Sequence, residues 1–144
     1  MAATKSWECK VFPHVRAHNR GLLPFEQEYE HKQKQENEMI ARIWHGWTKA
    51  QDAKAYEEML RDEIFPGIAR RNIEGYNGAE LFIRDDGDEV EFVTLLRFDS
   101  MKAVKEFAGE DQRKPVIYPK AEVLLTRMDQ YSQHYRIVIS GEKL

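Results

Sequence analysis

The stretch Met39–Thr48, MIARIWHGWT, decides the fold of this chain. Within it, Ile40–Trp47 is rich in β-branched and aromatic residues, a composition typical of a β-strand. The next residues, Thr48–Gln51, have the T-x-x-Q pattern of a helix capping box. Apolar side chains then recur at the spacings of three and four residues that define one face of an amphipathic helix: Ala53, Tyr56, Leu60 and Ile64. We therefore expect a first strand that leads directly into a helix, which Pro66-Gly67 breaks or kinks.

Two further strands are predicted as a hairpin, Ala79–Arg84 and Val90–Phe98, joined by the turn Asp85–Asp88. In the second strand, every other residue from Val90 to Phe98 places an apolar or Thr side chain on one face. Val93 and Leu95 are apolar on the other face. A strand that is apolar on both faces is usually covered on both sides, and the helices of so short a chain cover only one. We therefore expect a second copy of the same sheet to cover the other face.

The rest of the chain completes a βαββαβ order. Asp99 or Ser100 is expected to cap a helix over Met101–Ala108. Val116–Met128 is predicted to be helical, and Tyr131–Ile139 is predicted as the last strand. This order is that of a ferredoxin-like α+β fold, with a four-stranded antiparallel sheet in which the first strand is central and the last strand is its neighbour.

Composition limits the class of protein. The chain has 144 residues, 42% of them hydrophobic and 33% charged, with a formal net charge of -3. It is long enough for one domain with a real core, and it is not a basic nucleic-acid binder. No apolar run approaches the roughly 18 residues that a membrane-spanning helix requires. A single cysteine, Cys9, forms no internal disulfide, so a cytoplasmic protein is expected.

Residues 1–38 differ from the rest. They contain three of the five histidines and the polar run EQEYEHKQKQENE. We interpret them as an N-terminal extension, partly disordered or draped on the domain that residues 39–144 form; a polar helix over Phe25–Asn37 could begin at Pro24. His14 and His18 are four residues apart, downstream of Cys9, but Pro13 and the irregular pattern argue against a metal site there.

Four segments carry a resemblance to a known family. They are ARIWHGWT at 41–48, EEMLRDEIFPGIARR at 57–71, GYNGAELFIRDDGDEVEFVTLLRFDSMKAVKEFAG at 75–109 and HYRIV at 134–138. Together they resemble the antibiotic biosynthesis monooxygenase family of the dimeric α+β barrel superfamily, over about residues 39–139. The resemblance implies a homodimer whose sheets pack into a barrel. It also implies a small oxygenase that uses no cofactor and acts on phenolic or quinol-like substrates, a haem-degrading enzyme, or one of many members of unknown role.

The haem-degrading activity is disfavoured by one departure from the family pattern. In the haem-degrading relatives the ligand histidine lies on the helical side after the third strand, and Met101–Met128 contains no histidine here. We therefore expect no cofactor; the alternative that the sequence leaves open is haem bound by His45 or His134.

For cofactor-free oxygenation, the candidate catalytic residues are His45 and His134, because imidazole is the side chain best suited to move a proton near neutral pH. If the first and last strands are antiparallel neighbours, these two histidines could lie within about two residues of each other, depending on the strand register. Four aromatic residues are expected to wall a small aromatic substrate: Trp44, Trp47, Tyr118 and Tyr135. The alternative interpretation is structural: the histidines are hydrogen-bonded strand residues and the tryptophans are core or dimer contacts.

Two functions follow from the sequence. The first is a cofactor-independent monooxygenase with a small aromatic substrate. The alternative is a non-catalytic dimer of the same fold that binds a small ligand or a protein partner, with contacts from residues 1–38.

Overall fold

The computed structural model describes residues 23–28, 38–141 and 143. Two compact units divide the chain, Met1–Lys34 and Gln35–Leu144. In the first unit, residues 24–28 are helical, and the N–H of Leu23 donates to the Glu26 carboxylate over 2.9 Å. Cys9, His14, His18 and most of the expected extension lie outside the described residues, so the boundary at residue 38 stays a prediction. Within the described ranges, no helix has the length and apolar character needed to cross a bilayer.

The second unit is built on a five-stranded antiparallel sheet. Its elements are β1 (Ile40–Lys49), a 3₁₀ turn (Ala50–Asp52), α1 (Ala53–Met59), a π-helical segment (Leu60–Ile64), α2 (Phe65–Arg70), β2 (Tyr76–Asp86), β3 (Glu89–Phe98), α3 (Met101–Ala108), α4 (Pro119–Glu122), β4 (Leu125–Met128) and β5 (Gln133–Arg136). One edge of β1 pairs with β3 along its whole length, and β3 pairs with β2. The other edge is shared, since β4 pairs with Gly46–Thr48 and β5 pairs with Ile40–Ile43. The predicted α+β, ferredoxin-like class is confirmed.

The core lies on the face of the sheet that the helices cover, called here the helical face. Side chains at even positions of β1 and β3 point to this face, because side chains alternate along a strand. Phe92 and Phe98 are fully buried there, and the ring of Tyr56 from α1 packs edge-on against Phe92 with centroids 4.7 Å apart. The alternation predicted for β3 is therefore the one observed.

The capping box expected at Thr48–Gln51 does not form at the end of β1. Thr48 is a buried strand residue that pairs with Val90, and its hydroxyl donates to the carbonyl of Lys49 over 2.9 Å. Lys49 occupies the N-cap position and makes no side-chain cap. The prediction was wrong because β1 continues two residues further than its β-branched composition indicated.

The helix that follows β1 is continuous through Arg70, but its middle is π-helical. The N–H of Phe65 donates to the carbonyl of Leu60, the i→i+5 pattern of a π-turn. Pro66 follows this π-turn directly, at the start of α2, and has no N–H to donate to the preceding turn. The expected break at Pro66-Gly67 is therefore replaced by a wider turn just before it.

The predicted helix over Val116–Met128 is reduced to the single turn α4, and Leu125–Met128 forms a strand instead. Beyond Ile43, β5 no longer covers the edge of β1, and the backbone N–H and C=O groups there need other partners. Pairing with this edge stabilises a strand at Leu125–Met128 more than the helical spacing of its apolar residues stabilises a helix. This change adds a fifth strand to the four that were expected.

The opposite face of the sheet, called here the outer face, carries the odd positions of β1 and β3. Val93 and Leu95 are half-buried on it, and Phe82 of β2 is 49% exposed. The apolar second face of β3 is thus present as predicted, while the dimer that would cover it stays a prediction.

Candidate functional site

A cavity of ≈ 60 Å³ lies between the helical face of the sheet and the helices. Strands β1 and β3 form its floor, α1 through α2 form one wall, and residues 116–121 form another. The residues that line it are Arg42, Trp44, Tyr56, Leu60, Ile64, Phe65, Ile68, Thr94, Leu96, Phe107, Val116, Ile117, Tyr118, Ala121, Leu125 and Ser132. The lining is mostly apolar and aromatic, with one cation, which is the composition of a small-molecule site.

Trp44 is fixed at the floor of the cavity by its neighbours. Its indole N–H donates to the carbonyl of Asp129 over 3.0 Å. Gly46, two residues further on the same face, leaves room for the ring, because a Cβ at this position would lie 2.8 Å from Cη2 of Trp44. The indole therefore keeps one orientation at the cavity floor.

The π-helical segment forms part of the cavity wall. Leu60 and Ile64 are both buried, and both line the cavity. π-turns inside helices occur frequently at functional sites. The local sequence does not indicate this turn, since the apolar spacing of three and four residues is that of an ordinary α-helix.

Arg42 is the cation of the cavity. It is 3% exposed, and its Nη2 donates to the carbonyl of Lys114 over 2.8 Å. Its Nη1 contacts the carbonyl of Gln112 and lies 2.8 Å from Nε2 of His134. The guanidinium also lies over the Phe107 ring, 5.5 Å from its centroid. Burial lowers the pKa of Arg42 to about 10, so the side chain remains charged at neutral pH.

His134 is half-buried at the edge of the helical face. It pairs with Arg42 across β1 and β5, so the two side chains share a face. A guanidinium has no acceptor, and therefore Nε2 of His134 accepts from Arg42 and the ring proton is on Nδ1. Burial, followed by the charge of Arg42, lowers the pKa of His134 to about 4. The imidazole is thus neutral at neutral pH, with one nitrogen already engaged.

His45 lies on the outer face, away from the cavity. Its Nδ1 is 2.9 Å from Oε2 of Glu91, whose other oxygen accepts from Nε of Arg84 over 2.8 Å. Hydrogen bonds from His45 and Arg84 lower the pKa of Glu91. Trp47 stacks beside His45, and Arg127 lies 3.9 Å from the Trp47 ring centroid. These contacts form a polar and aromatic cluster on the outer face.

The six predicted site residues are thus divided between two faces of the sheet. His134, Trp44 and Tyr118 lie on the helical face, and the latter two line the cavity. His45 and Trp47 lie on the outer face, as does Tyr135, which pairs with Ala41 and is 54% exposed. The two histidines are not brought together, because the register places His134 opposite Arg42. Arg42 itself was not assigned a role from the sequence, although a charged residue in the middle of an apolar strand was a visible signal.

A wider surface groove adjoins the cavity. Its volume is ≈ 570 Å³, and it shares Ile64 and Tyr118 with the cavity lining. Its remaining lining comes from Gly67 of α2, from Pro119 and Lys120 of α4, and from Met59, Glu63 and Arg71. The side chains of Tyr118 and Ile64 therefore lie between the small cavity and the larger, mostly apolar groove.

No cluster of three or more metal-binding side chains occurs within residues 23–28, 38–141 and 143. The expected absence of a cofactor stays a prediction.

Comparison with solved structures places the fold. A protein of Bacillus cereus, whose name assigns it provisionally to the antibiotic biosynthesis monooxygenases, matches with a TM-score of 0.54 and 16% identity, covering 74% of this chain and 99% of its own. The two proteins share a fold. A conserved protein of Methanosarcina mazei matches with a TM-score of 0.50 and 13% identity, over 71% of this chain and 95% of its own. The family resemblance seen in the sequence is thereby confirmed as a likeness of fold.

A monooxygenase of Streptomyces coelicolor, solved with the ligand nanaomycin D, matches less well, with a TM-score of 0.44 and 15% identity over 74% of this chain and 91% of its own. That similarity is too low to support an inference about this chain. No protein-family model matches the sequence, and no curated protein matches it.

Proposed function

We propose that this protein is a cofactor-independent monooxygenase whose substrate is a small phenol or quinol bound in the cavity on the helical face. The observation that carries the proposal is the cavity itself, with Trp44 as its floor, Tyr118 as a wall and Phe107 nearby. Its volume of ≈ 60 Å³ corresponds to about four to six water-sized groups, close to the size of one aromatic ring. The name of the Bacillus cereus protein with this fold supports the same class of reaction.

The proposed reaction needs no external reductant. A phenol with an unsubstituted para carbon and O₂ give a quinone and water. One oxygen atom forms the new C=O at the ring carbon, and the other leaves as water with the hydrogens of the phenol O–H and the ring C–H. The four electrons that reduce O₂ all come from the substrate. The substrate must first ionise, because the phenolate ring transfers an electron to O₂ more readily than the neutral phenol does.

The chain's own residues bind and orient the ring. Trp44 and Tyr118 offer flat surfaces for offset or edge-on contacts, and the buried apolar wall at Leu60 and Ile64 excludes water. His134 is a poor general base at neutral pH, because its pKa is about 4 and its Nε2 accepts from Arg42. We propose that His45, Trp47 and Tyr135, on the outer face, take no part in binding the ring.

The test is oxygen consumption with a panel of phenols and quinols, using two matched variants. Tyr118→Leu removes an aromatic wall of the cavity, while Tyr135→Leu makes the same change on the outer face. Loss of an aromatic contact worth about 1.4 kcal/mol would lower kcat/KM about tenfold for Tyr118→Leu, and Tyr135→Leu should act like the wild type.

Equal losses in the two variants would contradict the cavity as the site. Binding of phenols without any oxygen consumption would instead favour the alternative, a non-catalytic ligand-binding protein of the same fold.

We also propose that the protein is a cytoplasmic homodimer in which a second copy covers the outer face. The apolar residues on that face support the dimer, since Val93 and Leu95 are half-buried and Phe82 is 49% exposed.

A further inference from the structure

We propose that Arg42 is an anion-binding site that holds the substrate oxygen as a phenolate, with His134 as its positioning residue. The inference rests on the proposed function, and it names what the substrate must carry: an ionised oxygen on a flat aromatic body.

The first observation is that Arg42 is buried without a counter-ion. A buried charge is costly unless it is paired. In the part of the chain that the structure describes, no carboxylate oxygen lies within 4.0 Å of a nitrogen of its guanidinium. Five more exposed arginines do have a carboxylate partner: Arg61 with Glu57, Arg84 with Glu91, Arg97 with Glu80, Arg127 with Glu89, and Arg136 with Glu38. Arg70, Arg71 and Arg113 also have no carboxylate partner among the described residues, but they are exposed, so Arg42 is the buried arginine whose charge is left uncompensated.

The second observation concerns the donors of the guanidinium. It has five N–H groups. Two on Nη1 face Gln112 and His134, and one on Nη2 faces Lys114. Among the described residues, no acceptor bonds to Nε–H or to the second N–H of Nη2. These two donors are left for the oxygen of a ligand, and a hydrogen bond from a guanidinium to an ionised oxygen is charge-assisted and strong. Because Arg42 lines the cavity, a ligand inside the cavity lies next to this side chain.

The third observation explains His134. All three acceptors around Arg42 are neutral: two backbone carbonyls and the imidazole. They fix the plane of the guanidinium and leave its positive charge for the ligand. A carboxylate at position 134 would hold the same geometry but cancel the charge.

The consequence for the reaction is direct. A phenol next to a buried guanidinium ionises more easily, because an opposite charge within hydrogen-bonding distance favours the charged form. The phenol loses its proton to solvent before the cavity encloses the ring, and no side chain of the cavity has to act as the base.

The experiment uses para-nitrophenol, whose absorption spectrum distinguishes the phenolate from the neutral phenol. We expect wild type to bind it as the phenolate and to lower its apparent pKa by at least about one unit, equivalent to about tenfold tighter binding of the ionised form. His134→Gln keeps a neutral acceptor for Arg42 and should retain the shift. His134→Glu and Arg42→Met should lose it and bind the phenolate about 10- to 100-fold more weakly.

The comparison of His134→Gln with His134→Glu does not depend on whether Arg42→Met folds. Binding of para-nitrophenol with an unchanged pKa in wild type would overturn the proposal, and so would an equal shift in the Gln and Glu variants. A shift in wild type without oxygen consumption from any phenol would leave the anion site in place and remove the proposed function.

Discussion

At the scale of single residues, the chemistry of this chain is decided by which face of β1 a side chain points to. His45 and His134 are the histidines of the compact unit, and the sequence gives no reason to prefer one. The pairing of Arg42 with His134 is set by the register of β5 on β1, which depends on contacts distant in sequence. Strand parity alone correctly places Trp44 with Arg42 and separates both from His45. Strand parity could not predict that His134 is the partner of Arg42, because it does not fix the register between β1 and β5.

His134 should leave a signature in the pH dependence of stability. Its pKa is about 4 in the folded protein and about 6.5 when exposed, so between these pH values the unfolded chain binds a proton that the folded protein does not. The free energy of unfolding should therefore fall as pH drops from about 6.5 to 4, by about 1–3 kcal/mol after allowance for solvent screening. Above pH 6.5 this group contributes no slope.

The measurement is urea unfolding of wild type and His134→Gln between pH 4 and 7.5. Subtracting the two curves removes the carboxylates common to both proteins. The difference should change with pH only below about 6.5, and parallel curves down to pH 4 would show that the burial of His134 does not govern its protonation.

At the scale of secondary-structure elements, the sequence predicts best where local signals agree. The hairpin of β2 and β3, with Gly87 in its turn, and the helix α3 are found close to their expected bounds. The prediction of a helix over Val116–Met128 was wrong although the apolar spacing there is helical. The edge of β1 needs hydrogen-bond partners, and Leu125–Met128 supplies them as a strand. The π-helical segment was predicted only as a break or kink at Pro66-Gly67, because the apolar spacing before Pro66 is that of an ordinary α-helix.

The N-cap of α3 provides a test at this scale. Ser100 has extended backbone angles, and its side chain accepts from the N–H of Ala103 over 3.2 Å. Ser100→Ala should lower the free energy of unfolding by about 1 kcal/mol, within the usual range of about 0.5–2 kcal/mol, because one N-terminal N–H loses its partner. Ser100→Asp is the matched control and should be neutral or stabilising, since a carboxylate caps and favours the helix dipole.

Denaturant unfolding of the three proteins measures this effect. Equal stability of Ser100→Ala and wild type would mean that water replaces the cap without cost.

At the scale of the whole molecule, the outer face is the feature that the fold of one chain leaves unexplained. Val93 and Leu95 are half-buried on it and Phe82 is 49% exposed, and the proposed second copy would cover all three. The apolar residues on both faces of β3 predicted this face from the sequence. Such a pattern does not indicate which protein covers the face.

The proposed dimer predicts a specific effect of one surface charge. Phe82 is 49% exposed and pairs with Val93 in the middle of the outer face. Phe82→Glu should convert the dimer to a monomer by placing an unpaired charge in the interface, while the monomer fold is retained. Sedimentation velocity on both proteins measures this. Val123→Glu is the control, because Val123 is 81% exposed on the loop after α4, and it should remain dimeric. A wild-type monomer at micromolar concentration would exclude the dimer.

The π-helical turn at Leu60–Ile64 has a consequence for how such proteins diverge. A π-turn is equivalent to an α-helix that has gained one residue, and one residue rotates the helix by about 100°. Loss of a single codon here would restore a regular helix and turn a different set of side chains toward the cavity, while β1 and the hairpin kept their pairing. The chain can therefore change the shape of its cavity by a change in length, independently of substitutions in the sheet.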